Sequence, residues 1–154
     1  MTDLEERQSD STPWFLRGNY APVQDELTVT DLKVTGAIPP SLSGRYLRNG
    51  SNPKSGTAGH WFFGDGMVHG VRLDGGKAEW YRNRFVQTTK LAKGLEATDP
   101  ETMFDPTASA ANTHVLGHAG RIWALEEGHL PYALSPELDT LGCEDFGGKL
   151  TTAF

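Results

Sequence analysis

Residues 112–127 read NTHVLGHAGRIWALEE. Apolar and polar side chains alternate from Thr113 to His118 and again from Arg121 to Glu127, the two-residue period of extended chain. Ala119-Gly120 between them suits a short hairpin connection, because glycine reaches positive φ at little steric cost. The stretch therefore predicts two antiparallel strands. Alternation places Trp123, Leu125 and Glu127 on one face and Ile122, Ala124 and Glu126 on the other. If the tryptophan face is interior, Glu127 must be hydrogen-bonded or paired there, since an unpaired buried charge is very costly. A carboxylate held inside a β-protein raises the question of what it holds in place.

The same grammar continues upstream. Glu26–Val34 carries β-branched residues and predicts a strand. Ile38-Pro39-Pro40 cannot lie in a sheet centre, because proline lacks the ladder donor. Arg45–Leu47 predicts a short strand, followed by turn chemistry at Asn49-Gly50 and Asn52-Pro53. His60–Phe63 predicts a strand, Gly64-Asp65-Gly66 a turn, Met67–Leu73 a strand, Asp74-Gly75-Gly76 a turn and Ala78–Gln87 a strand. Turns about ten residues apart are the mark of an all-β meander. Residues 90–111 are less regular, with a helical turn expected at Leu91–Gly94 and turns at Asp99-Pro100 and Asp105-Pro106. Downstream, Tyr132–Leu134 predicts a strand, Ser135–Glu137 a turn, Leu138–Gly142 the next strand, and 150–154 another.

Successive hairpins in short sheets suggest blades of a β-propeller, or a sandwich. Two or three blades leave sheet edges open, which predicts self-association. The chain has 154 residues, enough for one domain. Its hydrophobic content of 37% is lean for a self-sufficient core of that length, which suggests a piece of a longer protein. Residues 1–13 are polar and acidic and are expected to form a disordered tail, with residues 14–154 as the folded part. The tail has neither the basic nor the apolar region of a secretory signal, and no apolar run approaches the ~20 residues of a transmembrane helix. A cytoplasmic location is the expectation. Fourteen Lys and Arg against twenty Asp and Glu, a net charge of -6, argue against nucleic-acid binding. The single cysteine, Cys143, cannot form an internal disulfide.

Other residues have plainer readings. His114 and His118 are spaced as zinc ligands would be on a helix, yet they lie in a strand-patterned segment around Gly117. His69 is expected to pack in a sheet and bond to backbone, and His60 and His129 to sit in loops or at strand edges. Trp14, Trp61, Trp80 and Trp123 are expected to pack the sheets. Arg45, Arg48, Arg82 and Arg84 are expected to pair with nearby acids. Gly64-Asp65-Gly66 lacks the lysine and following helix of a phosphate loop.

Four blocks, GRYLRNGSNP (44–53), HWFFGDGMVHGVRL (60–73), AEWYRNRFVQT (78–88) and ANTHVLGHAGRIWALEEG (111–128), resemble in order and spacing the N-terminal third of the carotenoid cleavage oxygenase family. The resemblance runs over residues 14–154. It implies a seven-bladed β-propeller, of which this chain would hold about two to three blades. It also implies a non-haem Fe(2+) on the axis held by four histidines, with three glutamates each orienting one of those rings. The implied reaction adds O2 across a carbon–carbon double bond of a carotenoid, apocarotenoid or stilbene-like substrate, giving two carbonyl products.

By position, Glu127 resembles the first of the orienting glutamates, and Thr113 a residue beside the metal's open coordination position. The chemistry is coherent: neutral imidazole suits iron, and its other ring N–H needs an acceptor to fix tautomer and aim. In the family the first iron histidine lies in an Ala-His-Pro context, just past a segment like Leu150–Phe154. All four ligands are thus expected beyond Phe154, and the chain alone is expected to be inactive and without bound iron. The competing expectation is a metal-free propeller-type interaction module, or a decaying gene product.

Overall fold

A computed structural model describes residues 11–151. The expected tail and the expected strand at 150–154 therefore fall largely outside the described residues. Two four-stranded antiparallel sheets dominate the fold, with strand orders β1-β4-β3-β2 and β5-β6-β7-β8. The first comprises β1 (Thr28–Val29), β2 (Gly44–Ser51), β3 (Gly66–Asp74) and β4 (Lys77–Phe85). The second comprises β5 (His114–His118), β6 (Arg121–Leu125), β7 (Tyr132–Leu134) and β8 (Thr140–Cys143). Between the sheets run α1 (Thr89–Lys93) and α2 (Pro100–Phe104).

Both central hairpins turn where the sequence predicts. Asp74 pairs with Lys77 across Gly75-Gly76, at φ 53° and 83°. His118 pairs with Arg121 across Ala119-Gly120, at φ 49° and 75°. Two consecutive positive φ values are the twist that a tight hairpin needs. The helix α1 starts at Thr88, whose side chain accepts from Leu91 N, and stops at Gly94 with φ 65°. Pro100 opens α2, where a missing N–H costs nothing.

The core lies between the sheets. Val68 and Trp80 from the first meet Ala124, Tyr132 and Leu134 from the second, with Val86, Ala111 and Leu138 from the connections and Leu47, Val115 and Ile122 at the rim. At its edge Glu137, in the β7–β8 turn, reaches across to three arginines of the first sheet. Its carboxylate lies 2.9 Å from Arg82, 3.4 Å from Arg45 and 3.8 Å from Arg72. Arg82 and Arg45 in turn lie over the Trp80 ring at 5.0 and 5.9 Å.

Three expected elements differ. Only Thr28–Val29 of the stretch 26–34 is strand. Its neighbours are held by side chains instead: Leu27 N donates to Asn83 Oδ1 at 2.6 Å and Phe85 N donates to Glu26 Oε1 at 2.7 Å. The strand at 45–47 runs on through Asn49-Gly50 to Ser51, because β3 continues to pair opposite it. Asn49, expected in a turn, uses its side-chain amide to bridge Ala111 O and His114 O of the second sheet. Residues 60–63 form no strand. Phe63 N donates back to His60 O, and Phe62 O accepts from the Asn112 side chain, so this backbone is satisfied in a loop.

Candidate functional site

Thr113 N donates to Leu125 O at 3.0 Å, which draws the start of β5 against the end of β6. The Thr113 hydroxyl consequently lies 3.1 Å from Glu127 Oε2 and 3.3 Å from Asn112 Oδ1. With one hydrogen, it serves one acceptor at a time. Both side chains are exposed. They border a cleft of about 350 Å³ shared with Phe63, Lys90, Glu126 and His129. Thr113 also borders a neighbouring cleft of about 410 Å³ that contains Arg48, Trp61 and His69.

The walls are set by buried polar groups. Asn112, 7% exposed, donates to Phe62 O at 2.8 Å and Gly64 O at 2.7 Å, tying the loop 60–64 to the residue beside Thr113. Lys90, 3% exposed, reaches Asp65 at 2.7 Å, and Asp65 accepts from Lys54 N at 3.0 Å. A buried ion pair with both partners hydrogen-bonded fixes α1 against the start of β3. Gly66 lets the start of β3 approach the linker before β5: a Cβ there would stand 2.2 Å from Ala111 O.

The interior carboxylate is Glu126, not Glu127. Pairing in β6 ends at Leu125, and residues 126–129 form a turn, so strand alternation does not carry to position 127. The buried face of β6 is the one with Ala124, and Glu126 follows it inward. Its carboxylate accepts from Ser109 Oγ and Ala110 N, both at 3.3 Å, and from Gly128 N. His129 Nδ1 lies 2.6 Å away on the same carboxylate, and His129 Nε2 lies 2.6 Å from Thr102 O. His129 is thus a structural part of the cleft rather than a loop ornament. The signal in the sequence was Glu126-Glu127-Gly128-His129, where a glycine turn brings residues 126 and 129 together.

The remaining histidines have local partners or stand at the surface. His69 Nδ1 bonds to the Tyr81 hydroxyl at 2.9 Å, not to backbone, and burial, with Arg48 adding to it, pushes its pKa down. His60 Nδ1 accepts from Phe62 N at 3.3 Å. His114 and His118 are exposed. Among the described residues, no group of three or more His, Cys, Asp or Glu side chains is arranged to hold a metal ion.

Trp80 and Trp123 are buried in the sheets as expected. Trp14 and Trp61 instead form an exposed aromatic cluster, their rings 4.8 Å apart, with Tyr20 and Phe62 beside them. Arg84 departs from the expected acid pairing as well, donating to Leu27 O, Asn83 O and Thr28 Oγ1.

A family model described as retinal pigment epithelial membrane protein matches residues 20–154. The chain belongs to that family, the carotenoid cleavage oxygenases. It is 47% identical to a carotenoid cleavage oxygenase of Mycobacterium tuberculosis over 97% of its own length and 31% of that protein's. It is 37% identical to carotenoid 9,10(9',10')-cleavage dioxygenase 1 of Arabidopsis thaliana over 91% of its length and 32% of the relative's.

Among solved structures it resembles the lignostilbene dioxygenase of Pseudomonas brassicacearum, with a TM-score of 0.78 and 32% identity over 93% of this chain and 33% of that one. It also resembles a cobalt-substituted Synechocystis oxygenase, with a TM-score of 0.70 and 29% identity over 86% and 32% of the two chains. The chain spans about a third of the length of these relatives. Its two sheets are those of a partial β-propeller. No helix among the described residues is long and apolar enough to cross a membrane.

Proposed function

We propose that this chain is the N-terminal portion of an iron(II)-dependent dioxygenase that splits a carbon–carbon double bond of a carotenoid, apocarotenoid or stilbene-like substrate into two carbonyl products. The observation that carries the reading is the Thr113–Glu127 contact at 3.1 Å on the wall of a cleft. Glu127 has no salt-bridge partner among the described residues, and its acceptor sites exceed what one hydroxyl can fill. It therefore fits the receipt of a ring N–H from an imidazole, although it reaches that role as an exposed residue rather than as part of the sheet interior. Structures of the Synechocystis apocarotenoid oxygenase include variants at a threonine and at a glutamate fourteen residues apart, the spacing of Thr113 and Glu127.

In this reading Fe(2+) is held by histidines supplied by the rest of the protein. When bound, the iron would supply the activation of O2. This chain's own residues orient and exclude. The Glu127 carboxylate fixes the tautomer and direction of one imidazole and brings negative charge near an otherwise neutral set of ligands. Thr113, bonded to Glu127 and small, would leave room for a diatomic molecule beside a bound metal. Asn112 holds the loop 60–64 in place, so Phe62 and Phe63 line the approach with apolar surface suited to a polyene or stilbene.

The test is iron content and O2 uptake with an apocarotenoid and a stilbene, on the whole protein and on residues 1–154. The whole protein is expected to bind one iron and release two carbonyl products, and the 154-residue chain to do neither. Stoichiometric iron with turnover in the short chain would overturn this assignment of roles, and a whole protein that binds iron but cleaves neither alkene would overturn the reaction.

A further inference from the structure

The turn at 126–129 has more hydrogen-bond capacity than a surface turn needs. Glu126 spans Glu127: its own carboxylate bonds to Gly128 N, closing a ring around the backbone of residue 127. The same carboxylate takes Ser109 Oγ and Ala110 N from the linker that enters β5. The fourth partner on that carboxylate is His129 Nδ1 at 2.6 Å.

The other ring nitrogen faces a carbonyl, Thr102 O at 2.6 Å, which can only accept. Nε2 therefore carries a hydrogen, and both ring nitrogens of His129 are held. The pair is mostly buried, with side chains 16% and 15% exposed, where a hydrogen bond is stronger than in water.

We propose that Glu126 and His129 are positioning residues for Glu127, a hydrogen-bonded clamp that fixes the turn on which Glu127 stands. The inference rests on the proposed role of Glu127 as an imidazole acceptor. It extends that role to two residues that touch neither the metal nor the alkene. Through Ala110 and Ser109 the clamp joins the turn to the linker before β5, and through Thr102 O to the middle of α2. Glu127 is thereby referenced to both walls of its cleft. Asp105 also feels the ring: the Thr107 hydroxyl and amide chiefly hold its pKa down, and Lys93 and His129 add to that.

The test is nitrogen-15 NMR of the histidine rings and carbon-13 NMR of the glutamate carboxyls in the chain, with amide hydrogen exchange, comparing the native sequence with Glu126→Gln and His129→Gln. The native His129 ring is expected to show a hydrogen on Nε2, bonded to Thr102 O, and a hydrogen-bonded Nδ1. Glu126→Gln should leave Nε2–H alone, speed exchange at Gly128 and Ala110 about fivefold to tenfold as a charged acceptor becomes a neutral one, and move the Glu127 carboxyl resonance. His129→Gln should move that resonance too.

A native His129 ring with no hydrogen on Nε2, or a Glu127 resonance indifferent to both variants, would overturn the clamp. The native-chain measurement decides even if a variant fails to fold. None of these readings uses iron, O2 or an alkene, so the clamp can fail while the dioxygenase assignment stands, and the reverse.

Discussion

Replacing Glu137 with Gln tests how the two sheets are joined. The carboxylate serves three guanidinium groups of the first sheet from a turn of the second, and Gln keeps the shape while removing the charge. The contact to Arg82, 2.9 Å with the arginine side chain 23% exposed, counts as a partly buried charge-assisted bond and contributes about 1–1.5 kcal/mol. The contact to Arg45 at 3.4 Å, with the arginine 24% exposed, is longer and contributes roughly 0.5–1 kcal/mol. Arg72, at 3.8 Å and 41% exposed, contributes about nothing.

The variant is therefore expected to lose about 2 kcal/mol, which lowers the Tm of a chain of this size by about 4–8 °C. Urea unfolding followed by tryptophan fluorescence reads the change directly, because Trp80 lies beneath Arg45 and Arg82. The denaturant slope should not change, since the same surface is exposed on unfolding. Added salt should narrow the difference between native and variant, as the cluster is partly open to solvent. A loss under 0.5 kcal/mol, or one insensitive to salt, would refute the view that this ion cluster ties the sheets.

Gly66→Ala is expected to cost about 3 kcal/mol or more, because the added methyl meets the backbone of Ala111, which cannot move aside as a side chain could; a midpoint within 1 M urea of the native value, roughly 1–3 kcal/mol, would contradict the close approach of β3 to the linker. Acidification is expected to destabilise the chain through His69. Its pKa is lowered on folding from 6.5, so the unfolded chain takes the proton first; the stability this contributes is complete above about 6.5 and is lost as pH falls below that value toward the folded pKa. His69→Asn, which can still bond to Tyr81, should flatten that part of the stability–pH curve; an unchanged slope would remove His69 from the account.

The architecture was legible wherever local chemistry decides it. Gly75-Gly76 and Gly120 permit the positive φ of their hairpin turns, and the helical turn expected at Leu91–Gly94 ends at Gly94 with φ 65°. Expectations failed where side chains from distant positions took over the backbone's hydrogen bonds. Asn83 and Glu26 replace a ladder beside β1, Asn112 satisfies the loop at 60–64, and Asn49 is kept in a strand by partners more than sixty residues away. No window of sequence contains both halves of such a contact.

The site shows the same division. The hairpin that brings Thr113 beside Glu127 follows from residues 113–127 alone. Which of two adjacent glutamates faces inward depends on where β6 stops pairing and on Ser109, Ala110 and His129, and alternation extended one residue too far gave the wrong one. Trp14 and Trp61 were misplaced for a related reason, since aromatic character marks burial in general but not the surface clusters that a loop and a chain end can build together.

The most direct test of the central claim is Glu127→Gln in the whole protein, with iron content and alkene cleavage measured side by side. If Glu127 orients an iron-bound imidazole, iron affinity or turnover falls about 10–100-fold while the fold and unfolding midpoint are kept, since the residue is exposed and its bond to Thr113 is minor for stability. Native iron content together with native turnover in that variant would contradict it.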